Sequence, residues 1–278
     1  MIGRERAEAL SPVPVGEELL PGYRVVALMA HGRRLDTYDA VDEDRDCRVV
    51  VKLLREDRRH DPRVVASVLQ EGRLVTSLAH PHLVRGLAAF EVPAPAMVLE
   101  TLTGATLGAL VEDRPLAATD VAQLGLQLVS VLGYLHRRDW LHLDLKPANV
   151  VVQHGRAVLL DLSLAGRPGA GRPGAGTRGY LSPEQALGQG LSPASDVFGL
   201  GVTLHECLTG ELPFGDEATW ESRRRWPLVH RRLPRRPDVL PDGVPREMSD
   251  LLAGCLSLDP ADRPDLGRVK DVCTALAE

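Results

Sequence analysis

The sequence predicts an α+β protein, in which a small antiparallel sheet with one main helix precedes a larger, mainly α-helical part. Short runs rich in β-forming residues fill much of residues 23–54 and return at residues 83–92 and 96–101. Beyond Gly104 the apolar residues instead follow helical spacing, most clearly over residues 121–135. The pattern therefore divides the chain into two parts close to this glycine.

The first part begins with an irregular segment and contains the start of one helix. Residues 1–20 are polar and interrupted by prolines, which predicts a loose N-terminal extension. Asp61 followed by Pro62 is a typical helix start, because the carboxylate accepts hydrogen bonds from the first amides and proline fits the first turn. We expect this helix to run to about Ala79.

The second part contains a hairpin, a short repeat and further helices. A turn at residues 154–156 separates two β runs and predicts the hairpin. Residues 166–176 repeat the pentapeptide GRPGA, whose glycines and prolines predict a mobile segment without regular structure. Helical spacing returns at residues 196–209, 245–256 and 265–277.

The composition excludes several classes of protein. Hydrophobic residues make up 44% of the chain and charged residues 26%, which is typical of globular proteins and not of disordered or fibrous ones. The net charge of −5 gives no sign of nucleic-acid binding. The four cysteines are widely spaced, so we expect buried thiols and no zinc site. With no signal peptide and no apolar stretch of membrane-spanning length, we expect a cytoplasmic protein.

Two residue types are rare enough to be informative. Lysine occurs only at Lys52, Lys146 and Lys270, and asparagine only at Asn149. Arginine otherwise replaces lysine throughout this chain. We therefore expect a lysine or an asparagine only at positions where no other residue can perform the same chemistry. Three of these four residues fall in the motifs that follow.

One short segment groups residues suited to phosphoryl transfer. Asp144, Lys146 and Asn149 place a base, a cation and an amide oxygen within one turn of chain. Asp161 follows at the end of the predicted hairpin. Phosphoryl transfer requires such groups, because the protein mainly positions the nucleophile, holds a metal ion and neutralises phosphate charge.

These motifs and their order resemble those of the bacterial eukaryotic-like (Hanks-type) serine/threonine protein kinases over about residues 22–277. The resemblance implies a two-lobed protein kinase fold. It also implies ATP and Mg²⁺ (or Mn²⁺) as cofactors and transfer of the γ-phosphate to a serine or threonine of a protein substrate. The implied divisions are an N-terminal extension at 1–21 and a kinase domain at 22–278, made of an N-lobe at 22–100, a hinge at 101–104 and a C-lobe at 105–278.

The resemblance also implies roles for individual residues. Lys52, paired with Glu71, would hold the phosphates. Asp144 would orient the substrate hydroxyl, Lys146 would neutralise developing charge, and Thr177 would lie near the base. The metal ligands would be Asn149 and Asp161. The remaining nucleotide contacts would be Met29, Gly32, Thr37, Val50, Glu100, Leu102 and Val151, with Leu99 as gatekeeper.

Three further residues resemble structural positions of the kinase C-lobe. Asp196 would brace the catalytic loop. Glu184, at the end of the substrate-positioning segment, would form a buried ion pair with Arg263, and loss of either partner would leave a buried charge unpaired.

The sequence departs from the kinase pattern in three places. The glycine-rich loop reads AHGRRL and keeps only Gly32, which predicts weaker nucleotide binding. The motif His-Arg-Asp has leucine at Leu143, and residues 164–176 contain no serine, threonine or tyrosine, so we expect activity that does not need phosphorylation of this stretch. The motif Asp-Phe-Gly ends in Ser163, which stiffens the backbone.

These departures leave two alternatives to an active protein kinase. One is a pseudokinase that binds nucleotide as a regulator or scaffold. The other is a small-molecule phosphotransferase with a kinase-like fold. We expect either a kinase that acts alone or one whose regulatory partner is a separate protein, and we expect no nucleic acid as a ligand. The arginine-rich stretch at residues 223–236 is interpreted as a solvated loop.

Overall fold

A computed structural model describes residues 12–215, 240 and 243–278. The arginine-rich stretch therefore lies outside the described residues. Backbone contacts divide the chain into two compact units. The first comprises Met1–Ala79 and Val84–Leu102, and the second comprises His80–Leu83 and Thr103–Glu278.

The described part of the first unit is an antiparallel sheet with one α-helix. The sheet order is β1-β2-β3-β4-β6-β5. Every second residue of β3 is buried, which places Tyr38 in a core with Val49, Val51 and Val98. The strands are β1 (Glu18–Leu20), β2 (Tyr23–His31), β3 (Leu35–Asp42), β4 (Cys47–Leu54), β5 (Gly86–Phe90) and β6 (Ala96–Glu100).

The helix α1 (Pro62–Ser77) begins as the sequence predicts. The Asp61 carboxylate accepts hydrogen bonds from the amides of Arg63 and Val64, at 2.9 and 3.4 Å. Gly72 lets α1 approach β5, because a Cβ at this position would lie 3.2 Å from that of Ala89.

The start of the sheet differs from the prediction. Strand β1 lies within the segment expected to be loose, and the amide of Val25 donates to the Glu17 carbonyl at 2.9 Å. Farther upstream, the amide of Val13 donates to the Tyr38 hydroxyl at 3.0 Å. Pairing with the neighbouring strand β2 and the contact with Tyr38 decide this structure, and the composition of the segment does not show them.

The second unit is mainly helical and carries the predicted hairpin. His154 and Gly155, with φ of 51° and 74°, form the two-residue turn between its strands. Its strands are β7 (Ala105–Thr106), β8 (Val150–Gln153) and β9 (Arg156–Leu159), and its helices are α2 (Leu107–Asp113), α3 (Ala118–His136), α4 (Pro183–Leu187), α5 (Pro193–Thr209), α6 (Arg246–Cys255) and α7 (Leu266–Ala277).

Helix α5 is buried along most of its length and passes close to α6. A Cβ on Gly201 would lie only 2.6 Å from that of Cys255, so glycine is needed for this approach. Three of the four cysteines are buried as expected, and burial raises the pKa of the Cys255 thiol to about 12. The expectation is wrong for Cys47, which is exposed at the start of β4. In the described part of the chain, no helix has the length and apolarity to span a bilayer.

Candidate active site

The first unit brings Lys52 and Glu71 together. Lys52 lies on β4, and Glu71 lies in the middle of α1. The Nζ and Oε1 atoms are 3.4 Å apart, and the side chains are 17% and 3% exposed. A buried carboxylate thus fixes the position of the lysine ammonium group.

Other predicted nucleotide contacts of this unit lie on neighbouring strands. Thr37 pairs with Lys52 across β3 and β4, and Val50 pairs with Leu99 across β4 and β6. Met29 lies on β2 with 60% of its surface exposed. The predicted contacts Met29, Thr37 and Val50 therefore lie on three consecutive strands of one sheet.

The residues predicted to meet the adenine through the main chain lie at the end of β6. Glu100 is the last residue of β6, and its amide donates to the Arg85 carbonyl at 3.0 Å. Leu102 follows as the last residue of the first unit. The predicted Val151 belongs to the second unit, where it is 7% exposed on β8.

Gly32, the one glycine kept from the glycine-rich motif, has a structural role in the β2–β3 turn. Its amide donates to the Leu35 carbonyl at 3.0 Å. A Cβ on this residue would lie 2.6 Å from the same carbonyl oxygen. The turn itself therefore requires glycine here.

In the second unit, Asp196 near the start of α5 holds the loop that precedes Asp144. Its carboxylate, in a residue only 1% exposed, accepts hydrogen bonds from the amides of His142 and Leu143 at 2.9 and 2.8 Å. His136 Nε2 lies 2.7 Å from Asp196 Oδ2. These contacts hold Leu143 at a φ of +63°, which few residues other than glycine adopt.

Asp144 is the centre of a hydrogen-bond network. Its Oδ1 accepts from the amide and the hydroxyl of Thr177 at 2.9 and 2.7 Å. Its Oδ2 lies 3.3 Å from the Nζ of Lys146, which also donates to Thr177 Oγ1 at 2.5 Å. A carboxylate, a cation and a hydroxyl from two segments of chain thus meet at one point.

Asn149 connects this network to the hairpin. Its Nδ2 donates to the backbone oxygen of Asp144 at 2.9 Å and to Asp144 Oδ2 at 3.0 Å. The amide of Leu160 donates to the Asn149 carbonyl at 2.9 Å. Asp161 is the next residue after Leu160. Asp161 Oδ1 accepts from the amide of Ser163 at 2.8 Å.

Known proteins have sequences similar to this chain. The family model described as Protein kinase domain matches residues 23–273. The serine/threonine-protein kinase PkaA of Streptomyces coelicolor is 33% identical over 230 residues, which cover 78% of this chain and 40% of that protein. The chain belongs to the bacterial Hanks-type serine/threonine protein kinase family.

Two further relatives agree with this assignment. The serine/threonine-protein kinase PknB of Mycolicibacterium smegmatis is 30% identical over 244 residues, 81% of this chain and 39% of that protein. The serine/threonine-protein kinase PrkC of Bacillus subtilis is 29% identical over 212 residues, 73% of this chain and 33% of that protein. The chain thus spans 40% or less of the length of these three relatives.

The second unit contains the ion pair that the kinase resemblance implies. Arg263, whose side chain is fully buried, donates to both carboxylate oxygens of Glu184 at 2.6 and 2.9 Å. Ser195 Oγ donates to the same carboxylate at 2.8 Å. Burial alone would raise the pKa of Glu184, but the hydrogen bonds and charge of Arg263 outweigh it and lower this pKa.

The GRPGA repeat follows Asp161 in the position of a kinase activation segment. It has no regular structure, as predicted, but backbone hydrogen bonds fasten it to the chain around α4. Gly169 and Leu191 exchange two hydrogen bonds of 2.8 and 2.7 Å. The amide of Gly171 donates to Gly188, and that of Gly174 to Gln185, both at 2.9 Å. The segment is therefore held without any side-chain hydroxyl of its own.

Sequence reasoning missed two contacts near the catalytic loop. Gln185 Nε2 donates to the Leu143 carbonyl at 2.8 Å. Tyr180 donates its hydroxyl hydrogen to Glu206 Oε2 at 2.5 Å, and burial raises the pKa of both side chains. The Ser182-x-x-Gln185 spacing signals a helix start, but nothing in the sequence signals the bond to Leu143.

Proposed function

We propose that this chain transfers the γ-phosphate of ATP to a serine or threonine hydroxyl of a protein substrate. The Asp144 network supports the proposal most directly. Thr177 contacts one oxygen of this carboxylate at 2.7 Å, and Lys146 and Asn149 contact the other at 3.3 and 3.0 Å. A carboxylate held in this way is suited to orient a hydroxyl group and accept its proton.

The donor chemistry fits a divalent metal ion. Both hydrogen bonds of the Asn149 side chain use its nitrogen as the donor, so its Oδ1 oxygen is the atom offered to a cation. Asp161 adds a carboxylate, and Mg²⁺ prefers such oxygen ligands. Bound by Asn149 and Asp161, Mg²⁺ (or Mn²⁺) would neutralise charge on the ATP phosphates.

The other roles follow from the positions of the side chains. Lys52, held by Glu71, binds the phosphates. Lys146 supplies positive charge beside Asp144, and Thr177 keeps both side chains in place. The remaining nucleotide contacts, with adenine and with the loop, are assigned as the resemblance implies. They are Met29, Gly32, Thr37, Val50, Glu100, Leu102 and Val151. The lobe and hinge divisions at 22–100, 101–104 and 105–278 remain part of the proposal.

A protein acceptor is favoured over a small molecule. The segment from Thr177 to Glu184 is fixed by Tyr180 bonded to Glu206, and by Glu184 bonded to Arg263. Such a rigid segment beside Asp144 is suited to position an extended peptide. The relatives named as serine/threonine-protein kinases support the same acceptor class.

One observation favours a pseudokinase that acts as a nucleotide-binding regulator. The Gly32 amide already donates a hydrogen bond within its own turn. Ala30 and Leu35 occupy the positions of the two outer glycines of the motif. The complete set of Lys52, Asp144 and Asp161 favours the active enzyme. In either case we propose a cytoplasmic protein with a separate regulatory partner and no nucleic-acid ligand.

Transfer of label from γ-labelled ATP separates these functions. The purified chain is incubated with Mg²⁺ or Mn²⁺ and with a generic protein substrate, itself, or a panel of small alcohols. The proposal predicts label on serine or threonine, identified by mass spectrometry. Label on a small molecule alone would identify the phosphotransferase. Nucleotide binding without any transfer would identify the pseudokinase.

A further inference from the structure

The two GRPGA repeats are identical in sequence but differ in their contacts. Arg167 and Arg172 occupy equivalent positions in the GRPGA segment, residues 166–176. Arg167 Nη1 donates to the carbonyls of Arg138 and Asp139, at 2.7 and 3.0 Å. Arg172 is exposed, and its side chain has no hydrogen bond or ion pair within the described part of the chain. The structure, and not the sequence, therefore sets Arg167 apart.

The contacts of Arg167 lie immediately before the catalytic loop, residues 142–149. Its guanidinium lies over the Trp140 ring, 4.1 Å from the ring centroid. The next residue, Leu141, exchanges two backbone hydrogen bonds with Gly166, of 2.8 and 3.0 Å. The first two residues of the GRPGA segment are thus joined to the stretch of chain that leads directly into the catalytic loop.

The positive charge in this contact is on the opposite side from that in kinases regulated by phosphorylation. In those kinases, arginine side chains bind a phosphate on the activation segment. Here residues 164–176 contain neither a hydroxyl nor an acidic residue, and Leu143 occupies the arginine position of the catalytic loop. The Leu143 side chain lies against Gly166, because a Cβ on this glycine would be 3.5 Å from Leu143 Cδ1. The segment therefore supplies the cation, and the chain before the catalytic loop supplies the acceptors.

A guanidinium is well suited to this contact. It is planar and always charged, so it can donate hydrogen bonds to carbonyl oxygens while its face stacks on an aromatic ring. One of the two carbonyls belongs to Asp139, whose φ of +57° is uncommon for residues other than glycine. A cation bound to this carbonyl stabilises the turn that precedes the catalytic loop. The contact needs no covalent modification.

We propose that Arg167 is a positioning residue for phosphate transfer, which fastens the GRPGA segment to the chain before the catalytic loop and so keeps Asp144 in place without phosphorylation. Arg167 acts through the turn at Asp139 and through Leu141, and it does not contact a substrate. The inference rests on the proposed function, because phosphate transfer is the reaction that this arrangement serves.

Hydrogen exchange measured by mass spectrometry on the full chain tests the fastening without any need for activity. Arg167→Leu should speed exchange of the Leu141 and Gly166 amides by about tenfold, the effect of one lost hydrogen bond from a charged group. Arg172→Leu is the matched control, because it makes the same change in the second repeat, and it should leave both amides unchanged. Arg167 is exposed, so its variant is expected to fold normally. Equal exchange in wild type and Arg167→Leu would overturn the inference.

Steady-state kinetics of phosphate transfer test the positioning role. Arg167→Leu should lower kcat by about tenfold and leave the KM for ATP unchanged, because Arg167 does not contact the nucleotide. Arg167→Lys keeps a cation for the carbonyls but loses the flat face that stacks on Trp140, so it should recover part of kcat. An equal loss of kcat in Arg172→Leu, or no recovery in Arg167→Lys, would overturn the positioning role.

The two experiments separate this inference from the proposed function. If wild type transfers phosphate and Arg167→Leu matches it in exchange and in kcat, the inference fails and the proposed function stands. Faster exchange with an unchanged kcat also overturns the inference, because the segment would then be fastened without positioning the catalytic loop. If wild type transfers no phosphate, the proposed function and the positioning role both fail, while the exchange rates still decide whether Arg167 fastens the segment.

Discussion

At the scale of single residues, the Glu184–Arg263 pair makes a direct stability prediction. The Arg263 side chain is fully buried and Glu184 is 8% exposed. Arg263→Leu would leave the carboxylate buried without its cation. We expect the free energy of unfolding to fall by about 3–5 kcal/mol, as measured by chemical denaturation.

An exposed pair provides the control for this prediction. Arg246 lies 3.5 Å from Asp250, and the two side chains are 90% and 71% exposed. Because water solvates both charges, Arg246→Met should leave the stability unchanged. Equal losses in the two variants would contradict the role of burial.

Two glutamates of the second unit predict opposite pH dependences. The pKa of Glu184 is lowered by Arg263 in spite of burial, so its stabilisation is present above the ordinary value of 4.5 and is lost as the pH falls below it. Burial raises the pKa of Glu206, so its contribution is lost as the pH rises above 4.5.

Unfolding free energies of wild type, Glu184→Gln and Glu206→Gln, measured over about pH 3.5–7, test both signs. With rising pH, wild type should gain stability relative to Glu184→Gln and lose it relative to Glu206→Gln. If the stability difference from wild type changed with pH in the same direction for both variants, the environment assigned to one of the two glutamates would be wrong.

Candidate site residues are easier to find in the sequence than the contacts around them. Asp144, Lys146 and Asn149, the proposed base, cation and metal ligand, are candidates because few side chains can replace them in such roles. The Arg55–His31 contact cannot be recognised in the sequence. It joins the β2–β3 turn to the end of β4, and neither residue belongs to a motif. Only the three-dimensional register brings such residues together.

At the scale of elements, the predictions succeed where periodicity is long. The helices α1 and α3 and the β8–β9 hairpin begin or end within a few residues of the predicted positions. The short elements β1 and α4 were not predicted, because three and five residues carry too little pattern. Strand β1 pairs with the strand β2 that follows it directly, and α4 begins with a capping box between Ser182 and Gln185.

The fastening of the GRPGA segment to α4 makes an element-scale prediction. Gly188 has a φ of +67°, and a Cβ there would lie 2.6 Å from the Gly171 carbonyl oxygen. Gly188→Ala should therefore release the segment and reduce phosphate transfer. Gly190 has a similar φ of +64° but nothing within 4 Å of such a Cβ. Gly190→Ala is therefore the matched control, and equal transfer by the two variants would contradict the role of the contact.

The same segment predicts independence from phosphorylation. Residues 164–176 contain no hydroxyl to modify, and Leu143 cannot pair with a phosphate. Backbone hydrogen bonds supply the fastening instead. Phosphatase treatment of the purified chain should therefore leave its transfer rate unchanged. A large loss would show that a phosphorylated residue elsewhere controls the site.

At the scale of the whole molecule, the structure divides into two units between Leu102 and Thr103. The change of periodicity in the sequence falls near Gly104, two residues beyond Leu102. The sequence did not predict that His80–Leu83 would belong to the second unit. The Leu159 amide donates to the His82 carbonyl at 3.0 Å, a contact between residues far apart in the sequence.

The rate of γ-phosphate transfer by wild type and Asp144→Asn tests the catalytic assignment most directly. Loss of a positioned base should lower the rate by about 10²–10⁴-fold, while ATP binding measured by calorimetry persists. Asp139→Asn is the control, since Asp139 has a φ of +57°, which asparagine also tolerates. Equal transfer by wild type and Asp144→Asn would contradict the assignment of this site.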